Sequence, residues 1–283
     1  MYRDSRAVQS TARHFLFSMN LMKIIFLNIW GGKMYETLMA FLRAAAPDTD
    51  FFCLQEVFDS PKKNRTVSWG GRADIYRDLC AALPDFTPYY AIAMHDFDGD
   101  YATDFPLSHG IAIFAKKSAS WRMLSHGDFV IAGEGWPNHG DIKAFPHKLQ
   151  YIRFEKNGAP YTLAHIHGTA YPGDKRDTPE RIAQSQKIID FLADERGEKI
   201  LGGDFNLMPD TESIRMIERT NLRNLITDFH ITTTRSPLSY GHYPASDRQY
   251  FADFAFTSPS IRVNGSHVPQ IEISDHLPLV IEY

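Results

Sequence analysis

Short runs of apolar residues recur along most of the chain, and polar residues follow directly where several of these runs end. Lys23–Leu27 and Asp50–Leu54 are two such runs, and Glu36–Ala46 between them carries apolar residues at helical spacing. Continuous apolar runs of this length are typical of strands that are buried on both faces. The order strand, helix, strand within a short span predicts a layered α/β protein.

The same alternation continues to the end of the sequence. Further strands are predicted at Gly110–Phe114, Gln150–Phe154, Tyr161–His167, Lys199–Leu201, Ala252–Phe256 and Leu279–Tyr283. Further helices are predicted at Ile75–Leu83, at Pro209–Arg219 and from the N-cap residue Thr178 as far as Gly197. The aperiodic stretches are interpreted as loops or polar excursions, at Asp85–Ser108, Gly133–His147 and Leu222–Arg248.

The first aperiodic stretch contains three acidic residues at alternate positions, Asp96, Asp98 and Asp100. Gly99 falls at the wrong position for a standard calcium-binding loop. We therefore expect a solvated acidic loop there and no metal.

Composition narrows the class of protein. The 283 residues show no Pro/Gly/Ser-rich linker and no repeat, so we expect one domain over residues 22–283. Residues 1–21 lack the apolar core of a secretory signal, and we expect a disordered extension or a mis-assigned start. The net charge of −4 argues against a surface built mainly to neutralise a polyanion. Cys53 lies in an apolar run, which favours a buried free thiol and a reducing, cytoplasmic location, and no run approaches the ~20 apolar residues that span a bilayer.

Seven polar residues carry the candidate chemistry: Asn28, Glu56, His167, Asp204, Asn206, Asp253 and His276. Each alone has an ordinary structural explanation, such as a turn or a buried, hydrogen-bonded side chain. Most of them, however, lie at or just beyond the ends of predicted buried strands, where α/β architectures collect their active-site groups. Their coincidence therefore indicates a site.

The residue types favour chemistry on a phosphate. Glu56 and Asp204 supply carboxylate oxygens for a hard cation, and two imidazoles can handle protons or phosphate charge. Asn28 and Asn206 add neutral oxygens. The sequence contains no Gly-x-Ser-x-Gly elbow, Walker loop, His-Glu-x-x-His or Cys-x-x-Cys, which disfavours covalent Ser or Cys catalysis and a tight zinc site.

Five short motifs occur in a fixed order: Leu27–Gly31, Leu54–Glu56, His165–His167, Gly203–Asn206 and Ser274–Pro278. In that order they resemble the endonuclease/exonuclease/phosphatase superfamily of metal-dependent, DNase I-like phosphoesterases. The resemblance runs from about Lys23 to Tyr283, and any one motif alone is weak. It implies an α/β fold with four layers, in which two packed mixed β-sheets are flanked by helices.

The resemblance also implies a cofactor, Mg²⁺ or Mn²⁺. The residue matching Glu56 binds the metal, the one matching Asn28 assists at the metal and the phosphate, and Asp275 is a candidate ligand of a second metal. Asn28, His165 and Arg181 are the expected substrate-binding residues.

The remaining roles implied by the resemblance are catalytic. Residues matching Asp204 and Asn206 orient or activate the attacking water, and His276 forms a dyad with Asp253. His167 stabilises the phosphate or helps the leaving group depart.

The sequence departs from the family pattern at two places. Position 165 is His where many members have Asn, which leaves the role of His165 open. Phe251 stands where many relatives carry an arginine, two residues before Asp253, which weakens the assignment of Asp253.

We expect a metal-dependent phosphoric ester hydrolase whose substrate is a small or lipid-derived phosphodiester or phosphomonoester. The first alternative is a metal-dependent nuclease of DNase I-like or deadenylase-like type, because aromatic stretches could stack on bases. The second alternative is a catalytically silent binding protein on the same scaffold. Nucleic acid is not the favoured partner, since the clustered Lys and Arg residues it requires are few.

Overall fold

The computed structural model describes residues 21–133, 145–241 and 243–283. Its strands are β1 Lys23–Asn28, β2 Phe51–Asp59, β3 Phe86–His95, β4 Ser108–Lys116, β5 Arg122–Ala132, β6 His147–Lys156, β7 Ala159–His167, β8 Glu198–Asp204, β9 Arg223–Asn224, β10 Asp253–Thr257, β11 Gly265–His267 and β12 Leu279–Glu282. Its α-helices are α1 Tyr35–Ala45, α2 Ile75–Ala82, α3 Pro179–Asp194, α4 Glu212–Glu218, α5 Leu225–Asp228 and α6 Pro237–Tyr240. Residues 1–20 and most of the predicted loop at 133–147 lie outside the described part of the chain.

The strands form two mixed sheets of six strands each. The first has the order β11-β12-β1-β2-β4-β3, and the second has the order β5-β6-β7-β8-β10-β9. At the centre of the first sheet β1 pairs parallel with β2 and antiparallel with β12. At the centre of the second, β8 pairs parallel with β7 and antiparallel with β10. The sandwich of two mixed sheets flanked by helices, predicted from the sequence, is confirmed.

Alternating side chains of β1 show why its sequence is apolar at almost every position. Ile24 and Phe26 are buried between the two sheets, in a core that also contains Leu201 of β8. Ile25 and Leu27 point the other way, into a second core under α1 and α2. A strand buried on both faces needs apolar residues at successive positions.

The two sheets lie close together at Gly202. A Cβ atom added at Gly202 would lie 2.5 Å from the ring of Phe26, whose side chain is almost fully buried. Gly202 lies within β8, and the absence of its side chain makes room for the contact between the sheets. Gly203 has φ +130°, and a Cβ there would meet the carbonyl oxygen of Ile166.

Four strands of the structure have no counterpart in the sequence prediction: β3, β5, β9 and β11. β3 lies in the stretch 85–108 and contains Pro88, which removes one backbone donor. β5 alternates between exposed and partly buried residues. Both strands lie at the edges of their sheets, where proline and one-sided exposure are tolerated. The excursion at 222–248 likewise contains β9 and the short helices α5 and α6.

Candidate active site

The central ladder of the second sheet aligns three of the predicted residues. In the pairing register His167, at the end of β7, lies beside Asp204, the last residue of β8. Asp204 in turn lies opposite Asp253, the first residue of β10. Strand register therefore brings these side chains together, although they are distant in sequence.

Asn28 joins this group from the other sheet. Its Nδ2 donates to Asp204 Oδ2 at 3.1 Å and to Glu56 Oε1 at 2.8 Å, while its Oδ1 accepts from the backbone N–H of Trp30 at 3.0 Å. Glu56 has φ +55°, at a break in the register of β2 between Leu54 and Val57. The irregularity at Glu56 lets its carboxylate leave the regular ladder and reach Asn28.

His276 is held by two contacts of Asp253. Its Nδ1 lies 2.8 Å from Oδ2 and 3.0 Å from Oδ1 of Asp253, and both residues are buried. This contact places the N–H on Nδ1 and turns Nε2 towards Asp204, whose Oδ2 lies 3.6 Å away. Nε2 is thus the nitrogen that faces the cavity.

Neighbouring charges shift the pKa values of Asp204 and His276 in opposite directions. Burial raises the pKa of Asp204, but the positive charges of His276, His167 and Lys175 outweigh it and hold that pKa far below its usual range. Burial and Arg235 lower the pKa of His276, whereas the carboxylates of Asp253, Asp204 and Asp275 raise it, with a net upward shift. Asp204 is therefore ionised, and the protonated form of His276 is stabilised beside it.

Asn206 is fixed by a local turn and by a lysine. Its backbone N–H donates to Asp204 Oδ1 at 2.9 Å and its Nδ2 donates to the carbonyl oxygen of Gly168 at 3.1 Å. Nζ of Lys175 donates to Asn206 Oδ1 at 2.6 Å. Burial is the main reason that the pKa of Lys175 falls to about 8. Sequence reasoning missed Lys175, because it lies in an aperiodic loop and nothing in its neighbours marks it.

Arg235 is a second residue that sequence reasoning missed. Ser236 N–H donates to the carbonyl oxygen of Asp275, and this pairing places Arg235 beside the Ser274–Pro278 motif. Its guanidinium donates to Asp275 Oδ2 at 3.1 Å and contacts Nε2 of His276. An arginine thus reaches the dyad from a remote loop, although none stands two residues before Asp253.

A cavity of about 400 Å³ opens above these groups. Its lining residues include Trp30, Glu56, Trp69, Asp98, Asp100, His109, Phe145, His167, Tyr171, Lys175, Asp204, Asn206, Arg235, Asp275 and His276. Asp98 is buried and accepts hydrogen bonds from the backbone of Ser68, Asp100 and Tyr101. The expectation of a wholly solvated acidic loop was wrong for Asp98, because these backbone donors hold its carboxylate inside.

The three residues expected to bind substrate, Asn28, His165 and Arg181, are not among the residues that line this cavity. His165 is fully buried between the sheets, where its Nε2 accepts from Gln55 Nε2 at 2.5 Å and its ring lies 6.3 Å from that of Phe26. Arg181 is also fully buried, and its guanidinium donates to the carbonyl oxygens of four loop residues, Thr169, Ala170, Pro172 and Arg176. His165 therefore supports the packing of the sheets, and Arg181 fixes the loop that carries Lys175.

The donor set at the cavity fits a hard divalent cation. Glu56 and Asp275 both line the cavity, and burial together with the charge of Asp275 raises the pKa of Glu56 to about 7. Carboxylate oxygens are the ligands that Mg²⁺ and Mn²⁺ prefer. Ligand atoms of Asp204, Asp253 and His276 also lie within 4.8 Å of one another. Asn28 donates its amide hydrogens to Glu56 and Asp204 and so orients both carboxylates, and its expected role at the metal stays a prediction.

Comparison with known proteins agrees with this geometry. The sequence model of the Endonuclease/Exonuclease/phosphatase family matches residues 25–276. The chain belongs to this family. No curated protein matches it in sequence.

Solved structures share the fold at low identity. An endonuclease/exonuclease/phosphatase from Bacteroides vulgatus is 16% identical, with a TM-score of 0.65 over 93% of this chain and 98% of that one. A mannosyl-6-phosphatase from Bacteroides thetaiotaomicron VPI-5482 is 17% identical, with a TM-score of 0.62 over 92% and 98%. The human Nocturnin catalytic domain is 17% identical, with a TM-score of 0.60 over 93% and 94%. Among the described residues, no helix combines the length and apolar character needed to cross a membrane.

Proposed function

We propose that this protein is a Mg²⁺- or Mn²⁺-dependent phosphoesterase that hydrolyses a small or lipid-derived phosphodiester or phosphomonoester with water. The arrangement around Asp204 is the observation that carries the proposal. One buried carboxylate faces Nε2 of His276 at 3.6 Å and Nε2 of His167 at 3.7 Å, and it accepts from Asn28 at 3.1 Å. An ionised acid beside two imidazoles is suited to orient a water for attack on the phosphorus.

Asp204, His276 and His167 have separate roles in the proposed reaction. Asp204, held by Asn28 and the backbone of Asn206, orients the attacking water. His276, fixed through Nδ1 by Asp253 and stabilised in its protonated form, can donate the hydrogen on Nε2 to a phosphate oxygen. His167 faces the same point from the neighbouring strand and can serve the leaving group.

Glu56 and Asp275 are the proposed metal ligands. A bound divalent ion would supply positive charge to the equatorial oxygens of the phosphoryl group and lower the barrier to attack in line with the leaving group. Arg235 and, below about pH 8, Lys175 add positive charge on the cavity wall. The complete set of these groups speaks against a catalytically silent binding protein.

The shape of the site favours a compact substrate. Asp204, Asn206 and His276 are at most 5% exposed and lie at the base of the cavity. A phosphate must enter the cavity to meet them, which suits a small molecule or a chain end better than the middle of a duplex. The cytoplasmic location predicted from the free thiols stays a prediction, although both Cys53 and Cys80 are unpaired.

A parallel assay of the full chain tests the proposal. Each assay contains Mg²⁺ or Mn²⁺ and one candidate substrate. The substrates are bis-p-nitrophenyl phosphate, p-nitrophenyl phosphate, hexose phosphates, phosphoinositides, sphingomyelin, and single- and double-stranded DNA and RNA. We expect turnover of small phosphoesters that is lost in Asp204→Asn and retained in the control Asp210→Asn, an exposed aspartate paired with Arg176. Efficient cleavage of a polynucleotide, with a rate that falls steeply between about 50 and 200 mM salt, would favour a nuclease instead. No turnover of any substrate by folded protein would favour a binding role.

A further inference from the structure

His109 lines the cavity above Asp204 but has no place in the reaction described above. It lies on β4, opposite Phe58 in the sheet, and its ring stacks on that of Phe58 with centroids 4.3 Å apart. The residue is 6% exposed. Neither Nδ1 nor Nε2 has a hydrogen-bond partner within residues 21–133, 145–241 and 243–283.

A buried imidazole without a hydrogen-bond partner among the described residues indicates a ligand-binding position. Leaving a buried donor or acceptor unpaired is unfavourable, so such groups usually have a partner. Burial lowers the pKa of His109 to about 3, so its ring is neutral near pH 7. A neutral imidazole presents one N–H donor and one nitrogen acceptor, and a hydroxyl group can pair with either of them.

The surroundings of His109 differ from those of the cationic residues. His109, Trp69, Asp98 and Asp100 come from strands and loops of the first sheet, whereas Lys175 and Arg235 come from loops of the second. The cavity thus has an acidic and aromatic wall and a cationic wall. A phosphate is attracted to the second wall and repelled by the first.

The acidic wall is held in place by its own backbone contacts. Trp69 Nε1 donates to the carbonyl oxygen of Asp98 at 3.0 Å, and Asp98 accepts from three backbone N–H groups. Most of the acceptor capacity of Asp98 is therefore used inside the loop. The side chain of Asp100, on the same cavity, remains as an acceptor for a hydroxyl, and the ring of Trp69 offers an apolar face to carbon-bound hydrogens.

We propose that the organic part of the substrate is polyhydroxylated, a sugar or another polyol, and that His109 and Asp100 hydrogen-bond its hydroxyl groups while Trp69 packs against its carbon face. This inference rests on the proposed function, because it places the phosphate of the same molecule among the cationic residues. A quaternary ammonium group would also suit an acidic and aromatic wall. It would, however, leave the N–H of His109 without an acceptor.

The test is a ratio of kcat/KM for two phosphomonoesters of similar size, glucose 6-phosphate and cyclohexylmethyl phosphate. The ratio is measured for the parent, for His109→Phe, which keeps ring volume and stacking, and for His109→Gln, which keeps a donor and an acceptor. His126→Phe is the control, since His126 is an exposed residue of β5 whose ring contacts Tyr89. Thermal unfolding of each variant shows whether it folds.

We expect the parent to prefer glucose 6-phosphate and His109→Phe to reduce the ratio roughly 10- to 30-fold, as for the loss of two neutral hydrogen bonds. His109→Gln should recover much of the ratio, and His126→Phe should keep the parent value. Hydrolysis of both esters with an unchanged ratio in His109→Phe, or with no preference in the parent, would overturn the inference and leave the proposed function standing. A preference for p-nitrophenyl phosphorylcholine over both esters would overturn it in favour of a cationic group. Hydrolysis of no phosphoester would overturn the proposed function and this inference together.

Discussion

The Nδ1 atom of His276 lies 2.8 Å from the nearer carboxylate oxygen of Asp253, although the two residues come from different segments on either side of β11. Backbone hydrogen bonds from Ala252 and Asp253 to Thr234 Oγ1, at 3.1 Å each, secure the strand that carries the aspartate. The pair fixes both the orientation of the imidazole and the nitrogen that faces the cavity. This relationship gives the first prediction.

Asp253→Asn should reduce kcat by about 10² or more, with little change in KM. The amide keeps the volume of the side chain but removes the charge and can present an N–H to Nδ1, which favours the wrong tautomer of His276. Steady-state kinetics between pH 6 and 9 measure the effect, with Asp228→Asn, an aspartate paired with Arg223, as the control. Equal rates in mutant and parent across this range would remove the dyad from the mechanism.

Deprotonation of Lys175 should lower the activity at alkaline pH. A lysine whose pKa is lowered to about 8 loses its proton as the pH rises through 8, so its positive charge is present below that pH and absent above it. Lys175→Arg keeps a charged group at all these values, and its rate relative to pH 7 should hold up better above pH 8 than that of the parent. Lys175→Met should be slower at pH 7, and Lys199→Arg, at a half-buried lysine that does not line the cavity, is the control. A Lys175→Met variant with the parent rate and the parent pH profile would exclude a role for this charge.

Arg181 should control the loop that carries Lys175 rather than contact the substrate. Arg181→Lys keeps the charge but loses the planar fork that serves several carbonyl oxygens at once. We expect a loss of roughly 1–3 kcal/mol in the free energy of unfolding, together with faster proteolysis within residues 169–176 and a lower kcat. Denaturant unfolding and limited proteolysis check this, with Arg219→Lys, at an exposed arginine directly after α4, as the comparison. Unchanged stability and loop protection, with a raised KM alone, would instead indicate direct substrate binding.

Gly202 should be required for the contact between the two sheets. Gly202→Ala places a Cβ against the buried ring of Phe26, and we expect a loss of about 1–3 kcal/mol in the free energy of unfolding. Phe26→Leu in the same chain should recover part of this loss by making room. Gly265→Ala is a suitable control, because its added Cβ would meet only a side-chain oxygen of Glu282 at 3.5 Å. If Gly202→Ala unfolds at the same denaturant concentration as the parent, the contact between the two sheets does not require a glycine at this position.

Sequence alone was sufficient for the parts of the site that follow buried strands. Apolar runs locate β1, β7 and β8, and the polar residues directly after or at the end of each run meet because parallel and antiparallel pairing aligns those ends. Asn28, His167 and Asp204 were found in this way. The aspartate of the dyad was the weaker assignment, and the strand register that places Asp253 opposite Asp204 supplies the missing support.

Other residues could not be located because no periodic signal marks them. Lys175 and Arg235 lie in loops whose shape depends on distant partners, such as the four carbonyl oxygens that bind Arg181 and the pairing of Ser236 with Asp275. His109 resembles any histidine in a strand until the cavity beside it is known. His165 was expected at the site but lies buried between the sheets. Its position on the same strand as His167 does not reveal how deeply its side chain is buried.

The central claim is that a divalent metal held by Glu56 enables this site to hydrolyse a phosphoester. The most direct measurement is the initial rate of p-nitrophenyl phosphate and bis-p-nitrophenyl phosphate hydrolysis over a Mg²⁺ titration, for the parent and for Glu56→Gln. Glu36→Gln, an acidic residue in the first turn of α1, controls for a change of net charge. We predict a parent rate that saturates with Mg²⁺ and is abolished by a chelator, and a rate about 10² or more lower for Glu56→Gln at limiting Mg²⁺ despite normal folding. A parent rate that is unaffected by the chelator, or a Glu56→Gln rate equal to that of the parent at limiting Mg²⁺, would contradict the account.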